Sequence, residues 1–420
     1  ANALHDKFKG DDPRAANVTA PIRVSSAPPG ARAWIDGSNP LVATKTPGVL
    51  EAPVAKKKVL VRMAKAGYAR NQHECKTDEP IDLELQLQRG PAWGVALEGQ
   101  ITGAIAAAED RGIAVCRDGR VYALSAEDSS VFWMRPPAGT DSVDSLGEPT
   151  AAGVAQGVVV VGGRSGLLVG LDAIAGQEKW RVKGDPIVHP PLGVEIDGKE
   201  RIVVCRGTTL AVIDAEQGKI EREITLPAAA AAQPAARAGK AIAVLVDGRA
   251  VLVDLAAGKI AWNVDAKVDP VGAPVLATEL GFVLMASREG AVVALSMADG
   301  ASRYRRTADL GALEAGLAVD DRAIYVSTAR GRLLALDAGD GRTLWDQIQP
   351  AVPAAPPRRF GSSVYVPLRT GEVVELNPSD GKKRGSIQVE GIPSATPTLC
   401  GQKMLLGAGF SVYALEKAED

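Results

Sequence analysis

Apolar and polar residues alternate along most of this chain in short runs that end on glycine, aspartate or proline, as in Ile81-Asp-Leu-Glu-Leu-Gln-Leu87 and Arg332-Leu-Leu-Ala-Leu-Asp337. A period of two places successive side chains on opposite faces of an extended segment, so these runs predict β-strands. Long runs with helical periodicity are absent, and the longest apolar stretches, such as Val158-Val-Val-Val161, have the length of a strand. The chain therefore reads as all-β.

One unit recurs. Its clearest copy runs from Arg330 to Trp345: a strand, a turn at Asp340-Gly341, and a second strand carrying a tryptophan. Aligning the copies on their central aliphatic residue gives Leu124, Leu171, Ile213, Val253, Leu295, Leu336, Leu376 and Leu415, spaced 47, 42, 40, 42, 41, 40 and 39 residues apart. A spacing near forty marks a repeat architecture. One position after the aliphatic stands Asp172, Asp214, Asp254 or Asp337, with Ser125, Ser296 and Asn377 as substitutes. Short oxygen-bearing side chains bond the backbone of a turn. Five positions on stand Gly176, Gly218, Gly258, Gly300, Gly341 and Gly381, where the turn calls for positive φ. Nine positions on stand Trp133, Trp180, Trp262 and Trp345, with Tyr304, Arg222 and Gly385 as departures.

The ends of the chain say how the repeats close. Only five residues follow Leu415, so the last copy lacks a tryptophan strand, while Trp93 stands 40 residues before Trp133 with no copy ahead of it. The strand around Trp93 is expected to complete the last copy. That seals a ring of eight four-stranded units and removes exposed sheet edges.

The succession Ala335-Leu336-Asp337-Ala338, Gly341 and Trp345 resembles the repeat of quinoprotein-like β-propellers, over roughly residues 91–420. The resemblance implies an eight-bladed β-propeller. Blade one is expected at Ile101–Ala108, Gly112–Arg117, Arg120–Ala126 and Val131–Met134, with inter-blade loops at Pro136–Leu146 and Ala228–Ala232.

Ahead of the ring, residues 1–20 are charged and poor in apolar positions, and read as a flexible tail or linker. Strands are expected at Ile22–Val24, Ala31–Ile35, Lys58–Met63 and Ile81–Leu87, with turns at Pro28-Pro-Gly30, Asp36-Gly37, Thr46-Pro-Gly48 and Gly67-Tyr68. The elements Val24-Ser-Ser-Ala-Pro-Pro-Gly-Ala31, Trp34-Ile-Asp-Gly37, Thr46-Pro47 and Ala66-Gly-Tyr68 resemble the PEGA domain, a small β-sandwich of bacterial envelope proteins; Lys45 stands where that family commonly has glycine. The expected organisation is a tail at 1–20, a PEGA-like β-sandwich at 21–89 and an eight-bladed propeller at 90–420, joined at Arg89-Gly-Pro91.

Composition adds exclusions. A net charge of −2 over 420 residues shows no basic excess of the kind that nucleic-acid binding requires. No apolar run is long enough to cross a bilayer as a helix. An opening on Ala1 is expected of a processed or excised piece, whose anchor or upstream domain would lie outside it. Cys75, Cys116, Cys205 and Cys400 are far apart and form no CxxC pair, so small core residues are expected.

Candidate chemistry is sparse. Gly162-Gly-Arg-Ser-Gly166 leads into a strand rather than a helix and offers no phosphate cradle. Asp337-Ala-Gly-Asp-Gly341 lacks the spaced oxygens and distal glutamate of a calcium loop. His5, His73 and His189 are scattered. Quinoprotein dehydrogenases, as the resemblance implies, need pyrroloquinoline quinone, calcium ligands and often vicinal cysteines, and adjacent cysteines are missing; no cofactor and no catalysis are expected.

A positional hint remains. Gly103, Pro149, Pro191, Pro234, Pro274, Gly316, Pro356 and Pro397 recur in register ahead of each innermost strand, so their neighbours should rim a central funnel. The polar ones are Glu148, His189, Gln233, Glu314 and Arg359. Either they cap strand ends and hydrate a channel, or they form a docking surface for a protein or cell-envelope ligand. The resemblances imply an extracytoplasmic binding or sensing module, as in the ectodomain of a membrane-anchored receptor-like serine/threonine kinase. The alternative is an envelope scaffold similar to the propeller lipoprotein of the outer-membrane barrel-assembly machinery.

Overall fold

The computed structural model describes residues 19–27, 29–38, 43–53, 56–65, 71–77, 81–86, 89–135, 146–307, 310–320 and 323–416. Residues 1–18 of the expected tail, the Gly67-Tyr68 turn and the Pro136–Ser145 part of the first inter-blade loop lie outside the described residues. Two compact units emerge, one of residues 1–91 with 386–389, the other of residues 92–385 with 390–420.

Among its described residues the N-terminal unit has seven strands: β1 Thr19–Ala27, β2 Arg32–Ile35, β3 Thr44–Lys45, β4 Gly48–Pro53, β5 Lys58–Ala64, β6 Asn71–Lys76 and β7 Ile81–Gln86. They form two sheets, ordered β4-β1-β7 and β3-β2-β5-β6. Period-two alternation decides their inner faces. Ile22 and Val24 of β1, Leu50 and Ala52 of β4, Val59, Val61 and Met63 of β5, and Cys75 and Leu83 close on one another in a shared core. Thr46 locks the turn before β4: its hydroxyl meets Ser26 Oγ at 2.5 Å and accepts the Ala31 N–H at 2.9 Å, while its own N–H donates to Ala31 O. Asp36-Gly37 makes the turn expected of it, set in a connection longer than a two-residue hairpin. Ser38 N–H closes a turn on Ile35 O, and the next strand to pair with β2 begins only at Thr44. The parallel pairing of β1 with β7 leaves no local mark in the sequence.

The second unit is a ring of eight four-stranded sheets, the eight blades of a propeller. Blade one consists of Ala106–Ala108, Arg111–Val115, Val121–Ser125 and Val131–Arg135 from innermost to outermost strand, and the next six follow the same order. Blade eight takes Thr398–Cys400, Lys403–Ala408 and Ser411–Glu416 from the C-terminal end of the chain and Trp93–Ala96 from the start of the unit, with Trp93 opposite Ala414 and Ala96 opposite Ser411. The closure expected from Trp93 is thus in place.

The apolar cores lie between blades rather than within them. Val194, Leu210 and Val212 of blade three meet Ala241, Val251 and Val253 of blade four. Leu405, Val412 and Ala414 of blade eight meet Ile105, Ala114 and Leu124 of blade one. The third strands are covered by a neighbour on either side, which is why most of them read as apolar runs; in blade seven the run is broken by the buried Glu375, which accepts from Ser363 Oγ at 2.7 Å. The aliphatic markers Leu124, Ile213, Val253 and Leu336 are wholly buried.

The tryptophans staple one blade to the next. Indole Nε1 of Trp133, Trp180, Trp262 and Trp345 donates to the carbonyl of Ala173, Ala215, Met297 and Pro378 of the following blade at 2.8–3.1 Å. Tyr304 does the same through its hydroxyl to Ala338 O at 3.0 Å. Trp93 spans the closure, donating to Ala126 O of blade one at 3.0 Å. The turn glycine serves this docking as well as its own φ. A Cβ on Gly218, at φ 68°, would stand 2.4 Å from the Trp180 ring, and one on Gly176 2.5 Å from Trp133. In six blades a bulge falls immediately before the aliphatic marker, as between Ala335 and Leu336, and Leu344 is passed over in the pairing beside Trp345.

Candidate functional site

Where the eight blades converge, a cavity of about 750 Å³ opens at one end of the ring. Its wall is made from the segments that lead into the innermost strands. Thr102–Ala107, Glu148–Val154, Pro190–Gly193, Gln233, Gly272-Ala273, Ala315, Ala354–Pro356 and Ser394–Thr396 each contribute from their own blade. Small side chains here leave a wide space that larger ones would fill. Proline and glycine suit these crossovers because isolated bridges such as Pro149 to Gly163 and Pro393 to Ala408 need no proline N–H beyond them. Of the residues in register, Gly103, Pro149, Pro191 and Pro356 line the wall, and the immediate predecessors of Pro234, Pro274 and Pro397 do so in place of the prolines themselves. Ala315, before Gly316, lines the wall in the same way, although Gly316 itself is not ahead of its strand. Gly316 lies inside the strand Leu313–Asp320, at φ 78°, where the register shifts between Leu313 and Leu317.

Glu148 and Gln233 are on the wall. The Glu148 carboxylate meets Arg164 Nε at 2.5 Å, with both side chains largely in water, a setting in which such a pair contributes little stability. His189 lies between the lining residues Val188 and Pro190 but turns away, its Nε2 at 3.2 Å from Ala230 O of the next crossover. Burial lowers its pKa, against a smaller opposing effect of that carbonyl. Glu314 adjoins the lining residue Ala315 and pairs with Arg369 of blade seven. Arg359 sits in the innermost strand of blade seven and reaches sideways, to Asp320 of blade six at 2.5 Å and to Gly361 O at 3.3 Å. The structure therefore brings Glu148 and Gln233 to the funnel, and uses Glu314 and Arg359 to tie blade six to blade seven.

A set of arginines went unmarked in the sequence. Seven residues before the aliphatic marker, at the hairpin between the second and third strands, stand Arg117, Arg164, Arg206, Arg288 and Arg369. The backbone N–H of four of them donates to the crossover carbonyls of Gln100, Glu148, Asp269 and Val352. Arg164, Arg288 and Arg369 then pair with Glu148, Asp269 and Glu314. Arg206 departs: only 5% exposed, it lies against Gly184, and its Nε and Nη2 have no partner among the described residues. The same register that reveals the turn glycines would have found this set.

Pyrroloquinoline quinone, the cofactor of the dehydrogenases whose repeat this one resembles, would need donors that this wall has already committed. Thr102, Thr150 and Ser394 spend their hydroxyls on backbone carbonyls. The one lining carboxylate, Glu148, is committed to Arg164. A tricarboxylate quinone with calcium asks for several cations and a cage of six or more oxygens, and this wall of alanine, glycine and proline does not fit it. Among the described residues no group of three or more histidine, cysteine or acidic side chains could hold a metal ion. No helix among them is long and apolar enough to cross a membrane.

Comparison with known proteins bears on the ring. The family model described as outer membrane protein assembly factor BamB matches residues 88–185, 185–280 and 246–400. Among solved structures, BamB from Moraxella catarrhalis aligns with a TM-score of 0.61 at 21% identity, over 79% of this chain and 98% of that one. The computationally designed Ika8 protein aligns at 0.62 and 15% identity, over 77% and 98%. Quinohemoprotein alcohol dehydrogenase from Comamonas testosteroni aligns at 0.59 and 13% identity, over 79% and 77%. These likenesses show the fold. Comparison with curated proteins finds no match.

Proposed function

The chain belongs to the family of outer membrane protein assembly factor BamB, and on that footing we propose that it is a non-catalytic scaffold of the bacterial envelope that binds a protein partner at the funnel end of its ring. The observation that carries this reading is the family match across nearly the whole ring, joined to a wide funnel whose wall offers shape rather than reactive groups. A pocket built from backbone, proline and small side chains, with Gln233 and the Glu148–Arg164 pair at its edge, suits a polypeptide segment that brings its own side chains. The working compartment is then extracytoplasmic, with attachment to the membrane supplied from outside the described residues.

A second reading is favoured by the N-terminal unit. Its two sheets, closed by the Thr46 lock, accord with the PEGA-like motif and with a receptor-like serine/threonine kinase whose ectodomain carries such a module. The sequence of the complete gene separates the two, since a kinase domain and a membrane-spanning helix ahead of Ala1 would favour the receptor.

The test of the first reading is a photo-crosslinking amino acid placed at Gln233 and, separately, at the exposed Ile348 on the outermost strand of blade six, in the native cells. Crosslinks from Gln233 to a defined component of outer-membrane protein assembly are the expected result. Stoichiometric binding of pyrroloquinoline quinone in calorimetry, with alcohol-dependent turnover, would replace the scaffold with an enzyme.

A further inference from the structure

We propose that the outer edge of blade one is a docking strand that accepts an extended, acid-bearing strand of a partner protein. This rests on the binding-module reading and names how a partner engages. The exposed positions of the outermost strands differ sharply around the ring. Blade two presents Lys179, Arg181 and Lys183, blade three Glu221 and Glu223, blade four Lys259 and Asp265, blade five Arg303 and Arg305, blade seven Lys383 and Arg384. Blade six presents Asp346 between the apolar Leu344 and Ile348, and blade eight only the small Gly94 and Ala96. Charges on an edge discourage another chain from pairing with its free N–H and C=O groups. Blade one presents Val131, Phe132 and Met134, 48%, 44% and 43% exposed. Among the described residues the strand is paired on one side only, through Val121–Ser125, and its outer main-chain groups face no other strand of them. The bulge at Phe132 is shared with five other blades and does not set this edge apart.

The surroundings select the partner's chemistry. Ile174, 66% exposed, stands in the turn to which Trp133 is bonded, and beside it a cavity of about 500 Å³ opens at the seam of blades one and two. Arg111 and Lys179 line this cavity, and the Arg111 guanidinium lies 4.4 Å from the centre of the Phe132 ring. Three carboxylates line it too. Asp172 accepts the N–H groups of Ile174 and Ala175 and Glu200 that of Gln156, all three carboxylates keep their charge, and Arg111 is paired with Asp110 at 3.3 Å, so the attraction for an acid rests on Lys179 and Arg135 rather than on the cavity as a whole. On the cationic side Lys179 has no ion-pair partner among the described residues. Arg135 is held only loosely, 3.7 Å from Glu178, because Arg181 already takes that carboxylate at 2.6 and 2.7 Å. An entering strand with apolar residues on the Val131 and Met134 side and a carboxylate directed at Lys179 and Arg135 satisfies both features.

The test uses the full chain and an acetylated nine-residue peptide alternating valine with threonine and glutamate, with a lysine-for-glutamate peptide as control. Expected are saturable binding of the glutamate peptide and slowed hydrogen exchange confined to residues 131–135. Met134→Lys should weaken binding roughly tenfold, and Lys179→Glu should reverse the preference between the two peptides, with thermal unfolding of both variants unchanged. Equal binding by Met134→Lys, protection at another blade's edge, or a concentration-dependent dimer that Met134→Lys abolishes would each overturn the proposal. Loss of the peptide result with retained Gln233 crosslinks would sink this inference and leave the scaffold reading standing.

Discussion

The seam that closes the ring and the seam between blades three and four join equivalent surfaces with different parts. At the closure, Trp93 donates to Ala126 O, and three further side chains cross from blade eight to blade one: Ser394 Oγ to Gly103 O, Lys403 Nζ to Glu127 O, and Cys400 Sγ to Glu109 O. Between blades three and four the indole position is Arg222, whose stem lies under Gly258, and the turn residue that is alanine in blades one, two, three and six becomes the wholly buried Leu255. The first seam is tied by directed hydrogen bonds. The second relies mainly on aliphatic packing, with Gly239 N–H to Glu195 O at 3.1 Å and His189 Nε2 to Ala230 O at 3.2 Å bonded across it. The contrast teaches that the tryptophan of the repeat is a joint for holding two blades in register, and at the closing seam it also anchors the strand Trp93–Ala96, which is joined to the rest of blade eight by pairing with Ser411–Glu416 rather than by a hairpin.

Trp93→Ala is therefore the largest perturbation expected. It removes the staple and part of the closing core, for about 3–4 kcal/mol, toward the lower end for a tryptophan because the ring is partly exposed. Arg222→Ala should cost under about 1 kcal/mol. Denaturant midpoints of the two variants check this, and equal losses would break the comparison.

The two seams carry their own reporters. Cys116 and Cys400 lie in the closing core, Cys205 in the core of blades three and four, and Cys75 in the N-terminal unit. Burial pushes Cys116 and Cys205 up to about 12 and Cys400 to about 11. These folded values exceed the unfolded one, near 9, so the stabilisation is complete below pH 9 and is lost as pH rises towards 12. At pH 8 each thiol should react only when its seam opens. In Trp93→Ala, residue-resolved alkylation should speed up at Cys116 and Cys400 while Cys205 keeps its wild-type rate. A uniform acceleration would mean that the ring unfolds as one body instead of opening at the closure.

The glycines sharpen the contrast further. Gly218→Ala combines left-handed strain with a contact 2.4 Å from the Trp180 ring, so the indole must leave Ala215 O; a loss of about 2–3 kcal/mol is expected. Gly258→Ala meets only the flexible stem of Arg222, at 3.2 Å, and should cost the backbone term alone, about 1–2 kcal/mol. The difference between the two midpoints measures the indole joint, and its absence would mean that the glycine answers to φ alone.

Much of this architecture was legible because it repeats. Eight aliphatic markers, the turn glycines and the orphan Trp93 were enough to count the blades and place the closure, since each constraint is local and written again every forty or so residues. What the indoles bond to was not legible, because the acceptor carbonyl lies 33–40 residues away in the next blade. The funnel was half legible. Register put Glu148 and Gln233 at its wall, but it cannot say whether a side chain enters the cavity or, like those of Glu314 and Arg359, pairs sideways with a neighbouring blade. The edge of blade one was hidden for a different reason: Val131, Phe132 and Met134 look like core residues until their strand proves to be the outermost one.

The smallest effect concerns the turn that faces Trp93. The closing seam is the one whose turn lacks glycine: at the fifth position after Leu124 stands Ser129, held at φ 67° where its counterparts Gly176 and Gly218 have 68°. An L-residue there carries left-handed strain of about 1 kcal/mol or a little more, partly offset because a serine loses less backbone freedom on folding than a glycine does. Ser129→Gly should then stabilise the ring by at most about 1 kcal/mol, read as a small upward shift of the denaturant midpoint with an unchanged slope. Ser129 N–H already donates to Ser125 O at 3.3 Å, a bond that glycine keeps, so the gain isolates the backbone strain. In the Trp93→Ala background the same substitution should give the same increment, because strain confined to the turn does not depend on the indole. A gain that vanishes there would instead tie Ser129 to the docking of Trp93, and the closing turn would be part of the joint rather than its neighbour.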